Sequence, residues 1–302
     1  MKSKQRYHFF IGKGGVGKST LSALTGVYFA LNRKKTAIVS LDPAHNQQDI
    51  FEIGFSEKPK KIAERLFAKE INLDFRIKKY LKGVQDHFRK TYNYQDAFNL
   101  KNYYKILKFS PGMESQALIS AFNEIIAELD DFDILIFDMP PTALSMSFFS
   151  LPFSTLVWLK ELLKLRTEIN RKKEIISRVK LGKVQIETDK ITSTLTKKIE
   201  EFEKLTFLFR SSRIAINLIS NQDKLSLHES KKIISLLEDL GMRISSLIIN
   251  KSSVSEKNIE NISGYKAISF PLLQTEISTY ENLRKIALEH QDFFENLLKP
   301  EN

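Results

Sequence analysis

Apolar residues are grouped in two rhythms along the chain. Six short runs, at 7–11, 36–41, 133–137, 214–219, 244–249 and 267–270, are predominantly apolar and bounded by turn residues. A strand buried on both faces gives that pattern. Helical periodicity follows several of them: 18–32 comes directly after the first run, and 227–240 ends at Gly241, as a capped helix does. Strand and helix in alternation predict an α/β fold, a doubly wound and mostly parallel sheet. Two blocks, about 58–110 and 148–206, lack strand signals and read as helical insertions that pack together beside the sheet. With no Gly/Ser or Pro-rich linker and no repeat, residues 1–302 read as one domain.

Composition narrows the chemistry. The 302 residues are 42% hydrophobic, ample for a core, and contain no cysteine. A disulfide framework, a thiolate zinc site, an iron–sulfur cluster and a cysteine nucleophile are therefore excluded. The net charge of +11 is concentrated: 58–110 carries 14 basic against 5 acidic residues and 151–205 carries 13 against 8, so the remainder is slightly acidic. The charges lie among apolar positions at helical spacing and no nucleic-acid module is present. Solvated helix faces are the plainer reading, attraction to an anionic membrane surface the sharper one, and no nucleic acid is expected. The basic start, Met1 to Arg6, precedes an apolar stretch too short for a signal peptide, which places the chain in the cytoplasm. The uncharged run 139–159 is long enough to cross a bilayer. It carries Pro140, Pro141, Pro152 and several Ser and Thr, and reads instead as buried or groove-lining.

The sequence Gly12-Lys13-Gly14-Gly15-Val16-Gly17-Lys18-Ser19 matches G-x-x-x-x-G-K-[ST] between an expected strand and an expected helix. Its glycines let successive N–H groups turn toward phosphates at a helix N-terminus. Lys18 is expected to neutralise the β- and γ-phosphates, Ser19 to ligate Mg²⁺, and Thr20 to reach the α-phosphate. Carboxylates at strand C-termini beside such a loop handle the metal and the attacking water. Asp138 ends one apolar run and fits the Walker-B role of holding Mg²⁺ through water; Asp42 ends another.

The second lysine, Lys13, makes the loop resemble that of the dimeric ATPases that include plasmid-partition, division-site, nitrogenase iron and arsenite-pump proteins. Further segments narrow the resemblance: Leu41-Asp42-Pro43-Ala44-His45-Asn46, Phe137-Asp138-Met139-Pro140-Pro141-Thr142, Ser150-Leu151-Pro152, Leu225-Ser226-Leu227-His228-Glu229, Ile249-Asn250-Lys251 and Pro271-Leu272-Leu273. Together they resemble the arsenite-pump ATPase family, which includes the ATPase that targets tail-anchored membrane proteins. The resemblance covers nearly the full chain, and Asp-Pro-Ala-His-Asn is its most specific element. It implies that Lys13 reaches the nucleotide of an opposite subunit in a homodimer. It also implies that Asp42 orients or activates the attacking water, and that Asn250 and Pro271 frame the adenine, favouring ATP over GTP.

The chain departs from that family in several places. Arsenite-stimulated members bind metalloid through cysteine and carry two ATPase halves, and many targeting members clamp their dimer with zinc; this chain has no cysteine and one P-loop. The second switch reads Pro141-Thr142-Ala143-Leu144 where the family has Pro-Thr-Gly-His. With only five methionines, the apolar wall of a client groove falls to Phe148, Phe149, Phe153, Leu156, Trp158 and Leu159. The expected function is a MgATP-hydrolysing homodimer that captures hydrophobic transmembrane segments of tail-anchored proteins under nucleotide control and meets a receptor at the membrane. The alternatives are the energy-supplying subunit of an anion or metalloid pump, and a poorly hydrolysing nucleotide-gated holdase.

Overall fold

A computed structural model describes residues 5–44, 46–91, 110–181, 189–252, 261–274 and 277–298. His45 and 92–109, part of the first expected insertion, lie outside the described residues. The chain divides into two compact units, one of residues 1–148 and 212–302 and the other of Phe149–Ser211.

The larger unit is built on a sheet that, among the described residues, has nine strands. In chain order they are β1 (Arg6–Gly12), β2 (Thr36–Ser40), β3 (Lys60–Ala63), β4 (Leu66–Glu70), β5 (Ile134–Asp138), β6 (Ile214–Ser220), β7 (Ser246–Ser252), β8 (Asn261–Ile262) and β9 (Tyr265–Pro271). Their spatial order is β3-β4-β2-β5-β1-β6-β7-β9-β8. The seven inner strands run parallel, and β3 and β8 close the two edges antiparallel. This is the α/β, mostly parallel sheet that the alternating pattern predicts, and all six expected strands are in it.

β1 lies at the centre because both its faces are apolar. Phe9 stacks on Phe137 with ring centroids 4.9 Å apart and meets Phe122 and Phe148 at 5.8 and 6.0 Å. Those partners come from β5, from α4 (Met113–Glu128) and from the start of α5 (Thr142–Leu181). On the opposite face Phe10 joins a cluster with Leu24 and Val27 of α1 (Lys18–Leu31), Leu283 and Ile286 of α8 (Tyr280–Glu289), and Phe294 of α9 (Gln291–Leu298). Truncating a core Phe of this kind to Ala costs about 3–5 kcal/mol.

His8 is the exception on β1. It is fully buried, neither ring nitrogen has a hydrogen-bond partner, and the ring meets Phe29 edge-on at 5.1 Å. Burial, helped by Arg6, pushes its imidazole down to about 3. The unfolded chain protonates this ring near its ordinary 6.5, so between these values the unfolded state binds the extra proton and stability falls as pH drops. A full unit of this window is worth about 1.4 kcal/mol. Urea unfolding should therefore show the protein losing about 2 kcal/mol more than a His8→Leu variant between pH 7 and pH 5. Equal losses in the two proteins would mean that His8 does not remain neutral in the fold.

Two expectations for block 58–110 need correction. Residues 60–70 are not helical: they form β3 and β4. Lys60 and Lys61 sit exposed on an edge strand, where charge discourages further pairing. Lys69 and Glu70 are buried but partnered, Lys69 by Glu128 at 2.6 Å and Glu70 by Gln48. Moreover, α3 (Leu73–Thr91) packs on α4 within the sheet unit, where Arg76 pairs with Glu57 and Glu124, and so is not grouped with the later helices.

The smaller unit contains most of α5 and α6 (Lys190–Phe209). Asp189 caps α6 by accepting from the Ile191 N–H at 3.0 Å, and Arg166 of α5 grips the same carboxylate at 2.8 and 2.9 Å. The Arg166, Thr192 and Asn170 hydrogen bonds hold that carboxyl far below the usual range. Among the described residues α5 is the one helix long and apolar enough to cross a membrane by length and composition, and 28% of its apolar window is buried. The burial is uneven. Phe148 and Phe149 are fully buried core residues, which removes both from the expected client wall, whereas Trp158 is 70% exposed.

Candidate nucleotide site

The loop after β1 is shaped by close approach. Gly12 has φ +145° and passes so near the Ile219 carbonyl that a Cβ would overlap it. Gly17, at φ +94°, is equally tight against the Asn250 side chain, while Gly14 and Gly15 face open space. α1 then starts at Lys18 with no side-chain cap on Gly17 and no acidic residue in its first turn. Its first N–H groups and the positive end of its dipole are left for an anion.

Lys18 is 5% exposed and donates to the Lys13 carbonyl at 3.2 Å. Burial lowers its pKa, against the raising influence of Asp138, Asp42 and Glu229. An incoming phosphate supplies more of the same compensation. Asp138, the last residue of β5, is fully buried and pushed up to about 6 by burial; Ser19, Gln47 and Lys18 pull it back, and Asp42 adds to the rise. Its Oδ1 has no hydrogen-bond partner. An unpartnered, buried carboxylate oxygen beside a serine hydroxyl and a lysine suits a hydrated divalent cation, since hard oxygen donors are what Mg²⁺ takes. Asp42 is 7% exposed just beyond β2, whose Ser40 pairs in register with Asp138, and its Oδ1 accepts from the Ala44 N–H at 3.0 Å.

Lys18 and Asp42 line a cavity of about 600 Å³, and Asp138 stands off its wall, behind Ser19 and Gln47. Gly14, Gly15, Gly17, Lys18, Ser19, Thr20, Asp42 and Asn46 form its polar end, and Phe270, Pro271, Leu272, Leu273 and Ile277 its apolar end. A triphosphate at one end and an adenine at the other match that division. Asn250 is on the wall, with its amide turned to the loop: Nδ2 donates to the Val16 carbonyl at 2.7 Å and Oδ1 accepts from the Lys251 N–H at 2.9 Å. It braces the P-loop as well as facing the cavity. Val16 is itself buried, and neither it nor Gly12 is on the cavity wall. Lys13 is half-buried and off the cavity wall, and its carbonyl is what anchors Lys18.

Three contributors stand outside the set expected from the sequence. Gln47 bonds Asp138, Ser22 and Ser19. Glu229 lies close enough to act on Lys18, and Lys251 reaches the Gly15 carbonyl at 3.3 Å from the cavity wall. Glu229 and Lys251 stand inside the quoted motifs and were open to that inference; Gln47 carries neither charge nor motif.

The sequence profile of the anion-transporting ATPases matches residues 5–288. A putative arsenical pump-driving ATPase 2 of Aquifex aeolicus (strain VF5) is 26% identical over 301 residues, covering 93% of this chain and 98% of that protein. An ATPase ASNA1 homolog of Entamoeba histolytica is 29% identical over 257 residues, 82% of this chain and 76% of its own length.

Proposed function

Because the chain belongs to the anion-transporting ATPase family and is an ATPase, we propose that it is a cytosolic, homodimeric targeting factor that captures hydrophobic transmembrane segments under the control of bound MgATP. The observation that carries this reading is the surface of the smaller unit. Along α5, Trp158, Leu162, Leu165 and Ile169 are 70, 43, 55 and 37% exposed, at alternating spacings of four and three residues. A helix face of that spacing meets another apolar helix along its length. Leu156 and Leu159, by contrast, are half-buried, so of the expected wall Trp158 is the residue that this exposed row keeps.

In this reading Lys18 and the N-terminus of α1 hold the phosphates, and the apolar end of the cavity takes the adenine. Ser19, and Asp138 through water, would hold Mg²⁺, which supplies charge neutralisation across the β- and γ-phosphates. Asp42 orients the attacking water, and Lys13 reaches toward the second subunit's nucleotide. The pump-driving name of the Aquifex relative favours a second reading, in which the same ATPase energises an anion pump. The absence of cysteine leaves soft metalloids without a suitable ligand.

The test is co-purification with a client of one hydrophobic helix, about 20 residues long. The unmodified protein should retain the client in ATP and elute, by light scattering, as two chains with it. A Trp158→Asp, Leu165→Asp variant should lose the client at least tenfold while melting temperature and ATPase activity stay within a few per cent, because exposed positions tolerate charge. Retention of the client by the variant, or no client held by the unmodified protein, would retire the targeting reading.

A further inference from the structure

Gln47 stands in α2 (Asn46–Phe51), the short helix after Asp42, and is fully buried. Its Nε2 lies 3.0 Å from Asp138 Oδ2, 2.9 Å from Ser22 Oγ and 3.1 Å from the Ser19 carbonyl. Ser22 donates its own proton to that carbonyl at 2.9 Å, so its oxygen is free to accept from the amide. The orientation of the amide follows from chemistry: turned over, it would set Oε1 against a carboxylate. Next to it, Gln48 holds Glu70 through its backbone N–H at 3.1 Å and its side-chain Nε2 at 2.5 Å. Two successive glutamines therefore fasten α2, one to the metal-handling carboxylate at the end of β5 and one to the end of β4.

We propose that Gln47 is a positioning residue for Mg²⁺: by donating to Asp138 Oδ2 it fixes the carboxylate for the metal and ties the helix behind Asp42 to it. It acts through Asp138, as outer-shell partners of metal ligands do, and such partners are typically worth 10–100-fold in metal affinity. Nothing about packing alone requires it. Leucine has nearly the same volume and would fill the space, but it leaves Asp138 Oδ2 without the amide donor.

The probe is N-methylanthraniloyl-ADP, followed by fluorescence in EDTA and through a Mg²⁺ titration, with melting temperature read alongside. In Gln47→Leu, nucleotide affinity in EDTA should stay within twofold of the unmodified protein, and the Mg²⁺ concentration giving half-maximal tightening should rise about tenfold. Gln47→Glu keeps the shape and replaces the donor with an acceptor, and should give the same loss of Mg²⁺ response; it decides the matter if the leucine variant does not fold. Unchanged Mg²⁺ half-saturation overturns the proposal. So does an equal fall in affinity with and without metal, which is what damage to the loop alone would produce. Magnesium having no effect on the unmodified protein would overturn the proposal together with the metal assignment beneath it, whereas failure of client capture would leave it standing.

Discussion

Replacing Lys18 with alanine is expected to lower ATP turnover by about a hundred- to a thousandfold, the scale on which lost electrostatic stabilisation of a transition state is felt. The ammonium is held at the start of α1, between the loop and two carboxylates. It is 5% exposed, is anchored at 3.2 Å to the Lys13 carbonyl, and faces two carboxylates, Asp138 and Asp42, that would otherwise repel a triphosphate. In water such a charge would be worth little; in a site that excludes solvent it is worth several times more. The same burial lowers the lysine's pKa, so the folded protein gains nothing from the charge itself. The variant should therefore melt at or above the temperature of the unmodified protein while releasing phosphate at background rate. Near-normal turnover in a phosphate-release assay would remove the P-loop assignment.

Asp42→Asn should separate binding from chemistry. The Asp42 Oδ1 that accepts from the Ala44 N–H survives as an amide oxygen, so the local turn is preserved. What is lost is the negative charge that, in the proposed role, orients or activates the attacking water, a contribution of about 10²–10⁴ in rate. Affinity for a fluorescent ATP analogue should change by less than about threefold, while single-turnover hydrolysis falls by the larger factor. A fall in affinity that matches the fall in rate would mark Asp42 as a structural residue.

The parts of this protein that could be read from its sequence are those where one physical demand dominates. β1, β2, β5, β6 and most of β7 are buried on both faces and so read as predominantly apolar runs, and β9 reads as one although it is buried only in part. The P-loop has its own signature because only glycine passes the Ile219 carbonyl and the Asn250 side chain. β3 and β4 were hidden because Lys60, Lys61, Lys69 and Glu70 look like solvent-facing charge. Two of them are exposed on an edge, and the other two are buried against Glu128 and Gln48. Phe148 and Phe149 failed as groove residues for a related reason: a stripe at helical spacing does not say which turns of a long helix lie under other elements, and theirs do. Gln47 gave no signal at all. An uncharged amide becomes informative only when its three acceptors, drawn from α1 and β5, are seen around it.

The order of strands in the sheet also sets a schedule for biosynthesis. β1 emerges first, yet it pairs with β5 and β6: Phe9 sits opposite Phe137 on one side and Ile216 on the other. At about 5–20 residues per second, on the order of 10–40 s pass between synthesis of β1 and of its second neighbour. For that interval an apolar strand followed by the nucleotide loop has no partner on at least one edge. Pairings this distant also make folding slow once the chain is complete. Nascent chains stalled before residue 214 are therefore the form of this protein most exposed to aggregation, and the nucleotide cannot assist them, because Asn250 and Pro271, which complete its cavity, are made later still.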